Sequence, residues 1–266
     1  MEFLAFLGDW RFGKGINYQL LGGDMSEIDG FSKFEFSGPL ADGEQVSHTV
    51  FFKGDGPPII IWQELPGILP EMIDLANRMA EKYTIYMPHL FGRIGKFDMG
   101  RNLLQLCIRR EFHLFAGGKS SPIANWMRAL CRDVQSRHDG QQVGTLGMCL
   151  TGGFALTLMA DDSVLGGVAS QPSLPMFKQT ALHMSDAEIT EAKAGMAAKG
   201  PALAMRYEGD ILCKRAKMTT LEQAFGAGIV THEFPGRKHA LLTGHYLDEA
   251  YEMMMAYFDA RFGLET

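Results

Sequence analysis

Apolar residues follow two alternating patterns along this chain. Short uninterrupted apolar runs, of which residues 59–62 are an example, are typical of strands buried on both faces of a parallel sheet. Longer segments such as residues 69–82 place apolar side chains three and four positions apart, which indicates an amphipathic helix. From residue 59 onward the two patterns alternate. This alternation predicts an α/β protein with a mainly parallel sheet and helices on both of its faces.

Eight strands and several helices are predicted in this way. The predicted strands are residues 32–40, 45–53, 59–62, 83–87, 142–148, 165–170, 202–207 and 228–234. The predicted helices are residues 69–82, 101–111, 121–138, 151–160, 219–225 and 240–262, and a further capped helix begins near Ser185. The first two strands flank a hairpin-type turn at residues 41–44. Residues 171–200 form a longer excursion between two strands, which makes them a candidate lid.

The composition is that of an ordinary globular protein. The chain has 266 residues, 46% of them hydrophobic, with no internal repeat or low-complexity linker. We therefore expect one domain over residues 1–266, in which residues 1–56 supply an N-terminal extension and the first two strands. The formal charge of −6 and the lack of Lys/Arg runs argue against nucleic-acid binding. No apolar stretch reaches the ~18 residues of a membrane span. The first residues do not resemble a signal peptide, so a cytoplasmic location is expected.

The cysteines are scattered along the sequence, at Cys107, Cys131, Cys149 and Cys213. They show neither C-x-x-C pairs nor Cys/His ligand spacing, so no metal site is expected. There is no P-loop, and no cofactor is predicted. A disulfide framework is not expected in a chain of this size without a secretory signal. A reducing compartment would keep a reactive thiol usable.

Cys149 lies in a stretch with the form of a strand, a sharp turn and a helix. The apolar run 142–148 leads to it, Gly147 precedes it by two positions, and Gly152 follows within a helical pattern. A residue at the tip of such a turn has a strained backbone and an exposed side chain, and glycines let the strand and the helix approach closely. A free cysteine is otherwise most often a small buried hydrophobe. Here the context predicts a nucleophile.

A base and an orienting acid are expected just past the carboxyl ends of strands, where functional residues of open α/β sheets gather. That rule selects Glu64, Cys149, Asp210 and His239. The last three follow in the order nucleophile, acid and histidine. Rival acids and bases, which we expect to cap helices, to pack or to face solvent, are Asp161, Asp162, His89, His232 and His245.

These residues resemble the dienelactone hydrolases of the α/β-hydrolase superfamily over roughly residues 57–262, and that superfamily has the same order of nucleophile, acid and histidine. Two segments are the most specific: Trp62-Gln63-Glu64-Leu65-Pro66-Gly67 is similar to the family's Gln-Glu-Ile-x-Gly, and Gly147-Met148-Cys149-Leu150 to its Gly-Tyr-Cys-Leu. Further similarity lies in residues 86–91, 209–210 and 235–239. The resemblance implies an α/β-hydrolase fold in which the first two strands form an antiparallel edge.

The resemblance also implies a division of roles. Cys149 would attack as the thiolate, His239 would accept its proton, and Asp210 would orient the imidazole. The backbone N–H groups of Leu150 and Leu65 would bind the developing oxyanion. In the family, the counterpart of Glu64 lies near the thiol and controls its ionisation, so we assign Glu64 that role.

Some positions depart from the family pattern. Thr151 stands where the family has glycine, and His89 where it has aspartate. Thr243 stands where the family has an arginine that helps to hold a substrate carboxylate. A second family arginine has several candidates here, namely Arg93, Arg109 and Arg110. The catalytic residues therefore carry over better than the substrate preference.

The sequence thus predicts hydrolysis of a small carboxylic ester or lactone through an acyl-thioester on Cys149. Two alternatives stay open. A Cys-dependent thioesterase or acyl transferase would use the same three residues with a different acyl acceptor. A non-catalytic binding protein on the same scaffold is disfavoured by the intact set of Cys149, Asp210 and His239. The natural substrate and the oligomeric state are not predicted.

Overall fold

A computed structural model of the chain describes residues 27–98, 102, 111–112, 117–175 and 178–264. Within these residues the strands form one sheet, and helices flank it. The strands are β1 (Ser32–Pro39), β2 (Gln45–Lys53), β3 (Pro58–Trp62), β4 (Thr84–Pro88), β5 (Val143–Met148), β6 (Val164–Ser170), β7 (Ala202–Tyr207) and β8 (Ile229–Phe234). The α-helices are α1 (Pro70–Met79), α2 (Ile123–Arg137), α3 (Gly152–Thr157), α4 (Asp186–Lys199), α5 (Arg215–Phe225) and α6 (Asp248–Phe262).

The strand order in the sheet is β1-β2-β4-β3-β5-β6-β7-β8. Strands β3 to β8 run parallel, whereas β1 pairs antiparallel with β2, and β2 pairs antiparallel with β4. The predicted mainly parallel sheet with an antiparallel N-terminal edge is therefore confirmed. Each predicted strand is present with its ends displaced by at most one residue.

Apolar side chains pack into two cores, one on each face of the sheet. Helices α2, α3, α4 and α5 cover the first core, and helices α1 and α6 cover the second. Neighbouring residues of β3 point to opposite faces, so Ile60 packs into the first core and Ile61 into the second. Each such fully buried side chain contributes roughly 1.5–3 kcal/mol. The predicted placement of helices on both faces is confirmed.

The helices follow the predicted positions with two exceptions, the smaller of which is that α5 begins at Arg215, four residues before its predicted start. Residues 240–262 are predicted as one helix, but α6 begins only at Asp248. Residues 240–247 form turns instead, in which the Tyr246 N–H donates to the Thr243 carbonyl at 2.9 Å. The excursion at residues 171–200 contains α4, which begins at Ser185 with the predicted capping box. Most of the predicted helix 101–111, and residues 1–26, lie outside the described residues. None of the helices in the described ranges has the length and apolarity needed to cross a membrane.

The strand register brings several carboxyl ends together at one edge of the sheet. Trp62 at the end of β3 pairs with Gly147, and Met148 at the end of β5 pairs with Ser170. The ends of β7 and β8 pair in the same way, further along the sheet. Residues that directly follow these strands therefore share one edge, where the sequence predicts the functional site.

Candidate active site

Cys149 occupies the tip of a strained turn between β5 and the following helical residues. Its φ is +49°, in the left-handed region that side chains other than glycine rarely adopt. A Cβ atom on Gly147 would lie 2.3 Å from the carbonyl oxygen of Thr151, so only glycine fits there. The strained turn predicted at Cys149 is present. The thiol residue is only 9% exposed, however, so it is more enclosed than the prediction of an exposed side chain.

Thr151 fastens this turn to the neighbouring strand. Its buried hydroxyl accepts a hydrogen bond from the Met148 N–H at 3.0 Å. The same hydroxyl lies 3.0 Å from the carbonyl oxygens of Trp62 and Met148, to which it donates. The threonine that departs from the family's glycine therefore hydrogen-bonds buried backbone groups at the ends of β3 and β5.

Asp210 and His239 come together from the loops that follow β7 and β8. The His239 Nδ1 lies 2.7 Å from Asp210 Oδ2. The other carboxylate oxygen of Asp210 accepts the backbone N–H groups of Leu212 at 2.8 Å and Cys213 at 3.0 Å. Both side chains are buried, with Asp210 4% and His239 1% exposed. The carboxylate is thus fixed by backbone donors and presents one oxygen to the imidazole.

The imidazole of His239 connects this carboxylate to Cys149. Because Nδ1 faces Asp210, Nε2 is the ring nitrogen left for the thiol. Burial lowers the pKa of His239, but the charges of Asp210 and Cys149, and hydrogen bonds to both, hold it well above its ordinary value. The surroundings therefore favour an imidazolium, which is the form that a neighbouring thiolate requires.

The two backbone N–H groups predicted to bind the oxyanion belong to Leu150 and Leu65. Leu150 follows Cys149 within a 3₁₀ turn that leads into α3, and Leu65 follows β3. In the described part of the chain, neither N–H donates to a backbone or side-chain acceptor. Both residues belong to the same apolar cluster as Cys149. The role of this pair as oxyanion donors stays a prediction.

Glu64 lies near His239, two residues past the end of β3, and is 3% exposed. Thr243 donates its hydroxyl hydrogen to Glu64 Oε1, and Gln171 Nε2 lies 3.4 Å from Oε2. Burial raises the pKa of Glu64 to about 7, while the Thr243 hydrogen bond and the charge of His239 oppose that rise. Glu64 is consequently poised between the carboxylic acid and the carboxylate at neutral pH.

The rival residues make other contacts. His89 Nε2 lies 3.0 Å from the Gly92 carbonyl oxygen, and His245 Nδ1 accepts the Ala240 N–H at 3.3 Å. Asp161 is buried rather than solvated, pairs with Arg132 at 2.6 Å and accepts the Ser163 N–H at 3.1 Å. Of the three candidates for binding a substrate carboxylate, Arg93 pairs with Asp98 at 3.4 Å, whereas Arg109 and Arg110 lie outside the described residues. The role of these arginines stays a prediction.

A sequence model of the dienelactone hydrolase family matches residues 48–253, which is more than half of the chain. The chain belongs to the dienelactone hydrolase family. It is accordingly a member of a family of hydrolases, and the resemblance inferred from the segments around Glu64 and Cys149 is confirmed. No curated protein sequence matches the chain.

Solved structures share the fold at low sequence identity. A puromycin hydrolase has a TM-score of 0.58 at 14% identity, with 88% of this chain and 40% of that chain covered. An acetyl xylan esterase from Thermoanaerobacterium sp. JW/SL YS485 has a TM-score of 0.57 at 14% identity, with 90% and 87% covered. A dienelactone hydrolase-like promiscuous phosphotriesterase from metagenomic libraries has a TM-score of 0.58 at 15% identity, with 87% and 98% covered. These likenesses establish the α/β-hydrolase fold, and the chain spans less than half of the puromycin hydrolase.

Two residues of this family member were missed by the sequence reasoning as members of the site. Gln171 directly follows β6, and functional residues of open α/β sheets gather just past the carboxyl ends of strands, so its position in the sequence is a signal for the site. In the sequence, Thr243 is only a departure from the family's arginine within a predicted helix. The structure places both against the carboxyl group of Glu64.

Proposed function

We propose that the chain hydrolyses a carboxylic ester or lactone by covalent catalysis at Cys149. The observation that carries the proposal is the position of His239 between Asp210 and a cysteine held at a strained turn. Membership of the dienelactone hydrolase family supports the reaction class. So do solved structures of the same fold that are described as esterases.

In the first step the Cys149 thiolate attacks the acyl carbon, and the carbonyl oxygen becomes an oxyanion. The N–H groups of Leu150 and Leu65 are the donors assigned to that oxyanion. Removal of one such donor from comparable enzymes costs about 3–4 kcal/mol of transition-state stabilisation. Because neither N–H donates within the described residues, binding the oxyanion breaks no existing hydrogen bond.

In the second step the tetrahedral intermediate collapses, and the alkoxide leaves with a proton from His239 Nε2. An acyl-thioester on Cys149 remains. His239 then accepts a proton from water, the resulting hydroxide attacks the acyl carbon, and the acid leaves as the thiolate is restored. For a lactone, the alcohol formed in the second step stays attached to the acyl group. Asp210 stabilises the imidazolium in each half-reaction.

Glu64 has no part in these proton transfers. Its carboxyl group is enclosed beside His239, and its charge would change the balance between thiol and thiolate at Cys149. We assign Glu64 the control of that ionisation, because its charge acts on His239, the proposed partner of the Cys149 thiolate, and so alters the electrostatic energy of that pair.

The test is hydrolysis of p-nitrophenyl acetate and butyrate and of a simple γ-lactone, by wild type and by Cys149→Ala, His239→Ala and Cys131→Ala. We expect turnover to vanish in the first two variants and to persist in the third. Cys131 is a matched control because it is fully buried in α2, where burial raises the pKa of its thiol.

Turnover that survives Cys149→Ala would contradict the proposal. Lack of turnover in wild type with any ester, lactone or acyl-thioester would favour a binding protein instead. Transfer of the acyl group to an added alcohol, in preference to water, would identify an acyl transferase with the same nucleophile.

A further inference from the structure

The Glu64 carboxyl group accepts hydrogen bonds from two sides, within a buried chain of hydrogen bonds at the carboxyl edge of the sheet. Ser170 donates to the side-chain oxygen of Gln171, Gln171 donates to Glu64, and Thr243 donates to Glu64 from the other side. The exposed fractions are 0% for Ser170 and Gln171, 3% for Glu64 and 6% for Thr243. A chain this deeply buried is shielded from competing water, so its hydrogen bonds fix the side chains firmly.

Gln171 is held so that its amide nitrogen faces Glu64. Its φ is +37°, and its backbone N–H donates to the Met205 carbonyl at 2.6 Å, which fixes the residue against β7. Because the Ser170 hydroxyl donates to the amide oxygen of Gln171, the amide nitrogen of Gln171 faces the carboxyl group of Glu64. A left-handed backbone at a residue other than glycine is a strain that the surrounding contacts must hold, and here it directs the Gln171 side chain to Glu64.

Thr243 reaches Glu64 from the turn that also carries His239. Its N–H lies 3.4 Å from the Ala240 carbonyl oxygen, and its own carbonyl accepts the Tyr246 N–H at 2.9 Å. The turn therefore places the Thr243 hydroxyl and the His239 imidazole on one short segment. Any movement of this segment would change both the base and the hydrogen bond to Glu64.

The charged groups that face Glu64 are few among the described residues. His239 contributes a positive charge from the segment after β8, and Glu71 contributes a negative charge from the first turn of α1. The two direct partners of the carboxyl group, Thr243 and Gln171, are uncharged. A cationic partner would hold Glu64 as the carboxylate, whereas neutral donors leave its protonation free to change.

We propose that Thr243 and Gln171 are positioning residues that hold Glu64 in one place in both of its protonation states. A hydroxyl group can donate to a carboxylate or accept from a carboxylic acid, while the Gln171 nitrogen only donates. The proton of the acid therefore resides on Oε1, facing Thr243, and Glu64 gains or loses it without moving. This inference rests on the proposed control of Cys149 by Glu64.

The experiment follows alkylation of Cys149 by iodoacetamide from pH 5 to pH 9, by intact mass, in wild type and in variants. Glu64→Gln identifies the inflection that belongs to Glu64, because that inflection disappears in the variant. Thr243→Val should move the inflection upward by roughly one pH unit, since the hydroxyl binds the carboxylate more strongly than it binds the neutral acid. Thr243→Ser should restore the wild-type inflection.

The matched control is Thr157→Val, which removes a buried hydroxyl that donates to the Gly153 carbonyl within α3 at 3.2 Å. Its profile should coincide with that of wild type. If Thr243→Val should prove unstable, Thr243→Ala removes the same donor and should give the same upward shift. An unchanged inflection in the folded Thr243 variant, or failure of serine to restore it, would overturn the proposal.

Alkylation requires no substrate, so the outcome is separate from that of the hydrolysis assay. An upward shift in a chain that hydrolyses no ester would support this inference and contradict the proposed hydrolase. An unchanged profile in a chain that hydrolyses esters through Cys149 would overturn this inference alone.

Discussion

Replacement of Glu64 by glutamine should change how the stability of the protein depends on pH. The pKa of Glu64 is raised from 4.5 to about 7, chiefly because burial disfavours the carboxylate. Each pKa unit corresponds to 1.36 kcal/mol, so ionisation of Glu64 costs the folded state roughly 3 kcal/mol above pH 7. Because Glu64 is only 3% exposed, screening by solvent reduces this free energy only slightly.

The sign follows from the proton affinity of the two states. The folded protein binds the Glu64 proton more tightly than the unfolded chain does. The resulting stability is fully present below pH 4.5 and is lost as the pH rises through 7. Titration of Glu64 should therefore lower the unfolding free energy of wild type by roughly 2–3 kcal/mol between pH 5 and pH 8. Glu64→Gln lacks the titration and should lose none of it.

The assay is urea denaturation of wild type and Glu64→Gln at pH 5, 6, 7 and 8, and the quantity compared is the difference in unfolding free energy at each pH. That difference should shift in favour of the variant by roughly 2–3 kcal/mol from pH 5 to pH 8. A loss of packing or hydrogen bonding that is the same at every pH does not change how this difference in unfolding free energy depends on pH. A difference that stays flat with pH would refute the reasoning.

Glu188→Gln is the matched control, because Glu188 is also a buried glutamate, 7% exposed. Burial raises the pKa of Glu188, but hydrogen bonds from Ser185 and Ser120 and the charge of Arg128 bring it below its ordinary value. Ionised Glu188 therefore stabilises the folded protein, and this contribution is lost only as the pH falls below the ordinary pKa of a glutamate. The difference between this variant and wild type should therefore stay nearly constant between pH 5 and pH 8.

Three further substitutions test the turn and the triad. Thr151→Val leaves the Met148 N–H and the Trp62 carbonyl without this partner, so we expect about 2–3 kcal/mol less stability by urea denaturation, largely recovered by serine. Gly147→Ala places a Cβ 2.3 Å from the Thr151 oxygen, so the turn must shift, and kcat for a p-nitrophenyl ester should fall roughly 100-fold or more. Asp210→Asn removes the carboxylate that orients His239 and should lower kcat about 10,000-fold with a similar KM. Wild-type stability for Thr151→Val, or wild-type kcat for either of the other two, would contradict the corresponding assignment.

The positions of the strands were predictable because the parallel strands are buried on both faces and so have uninterrupted apolar sequences. Residues 59–62 and 202–207 are examples, and the structure has strands at both places. Once the strands are located, their carboxyl ends locate the site. This reasoning selected Cys149, Asp210 and His239, and the structure brings the last two to 2.7 Å.

The contacts of Glu64 could not be predicted, because they depend on the tertiary structure. Residues 240–262 keep a helical pattern across the turn that carries Thr243, although α6 begins only at Asp248. This turn makes a contact that is remote in sequence, the hydrogen bond from the Tyr207 hydroxyl to the His245 carbonyl at 2.7 Å. Gln171 meets Glu64 across 107 positions of sequence, for which local pattern carries no signal.

The most direct test of the account is capture of the acyl-enzyme. The protein would be mixed with excess p-nitrophenyl butyrate, quenched in acid during turnover and measured by intact mass, then digested to locate the adduct. We predict one added butyryl group on the peptide that contains Cys149, in wild type and in Cys131→Ala, and none in Cys149→Ala. Steady turnover without an adduct on Cys149, or an adduct on another residue, would contradict the central claim that Cys149 is the nucleophile.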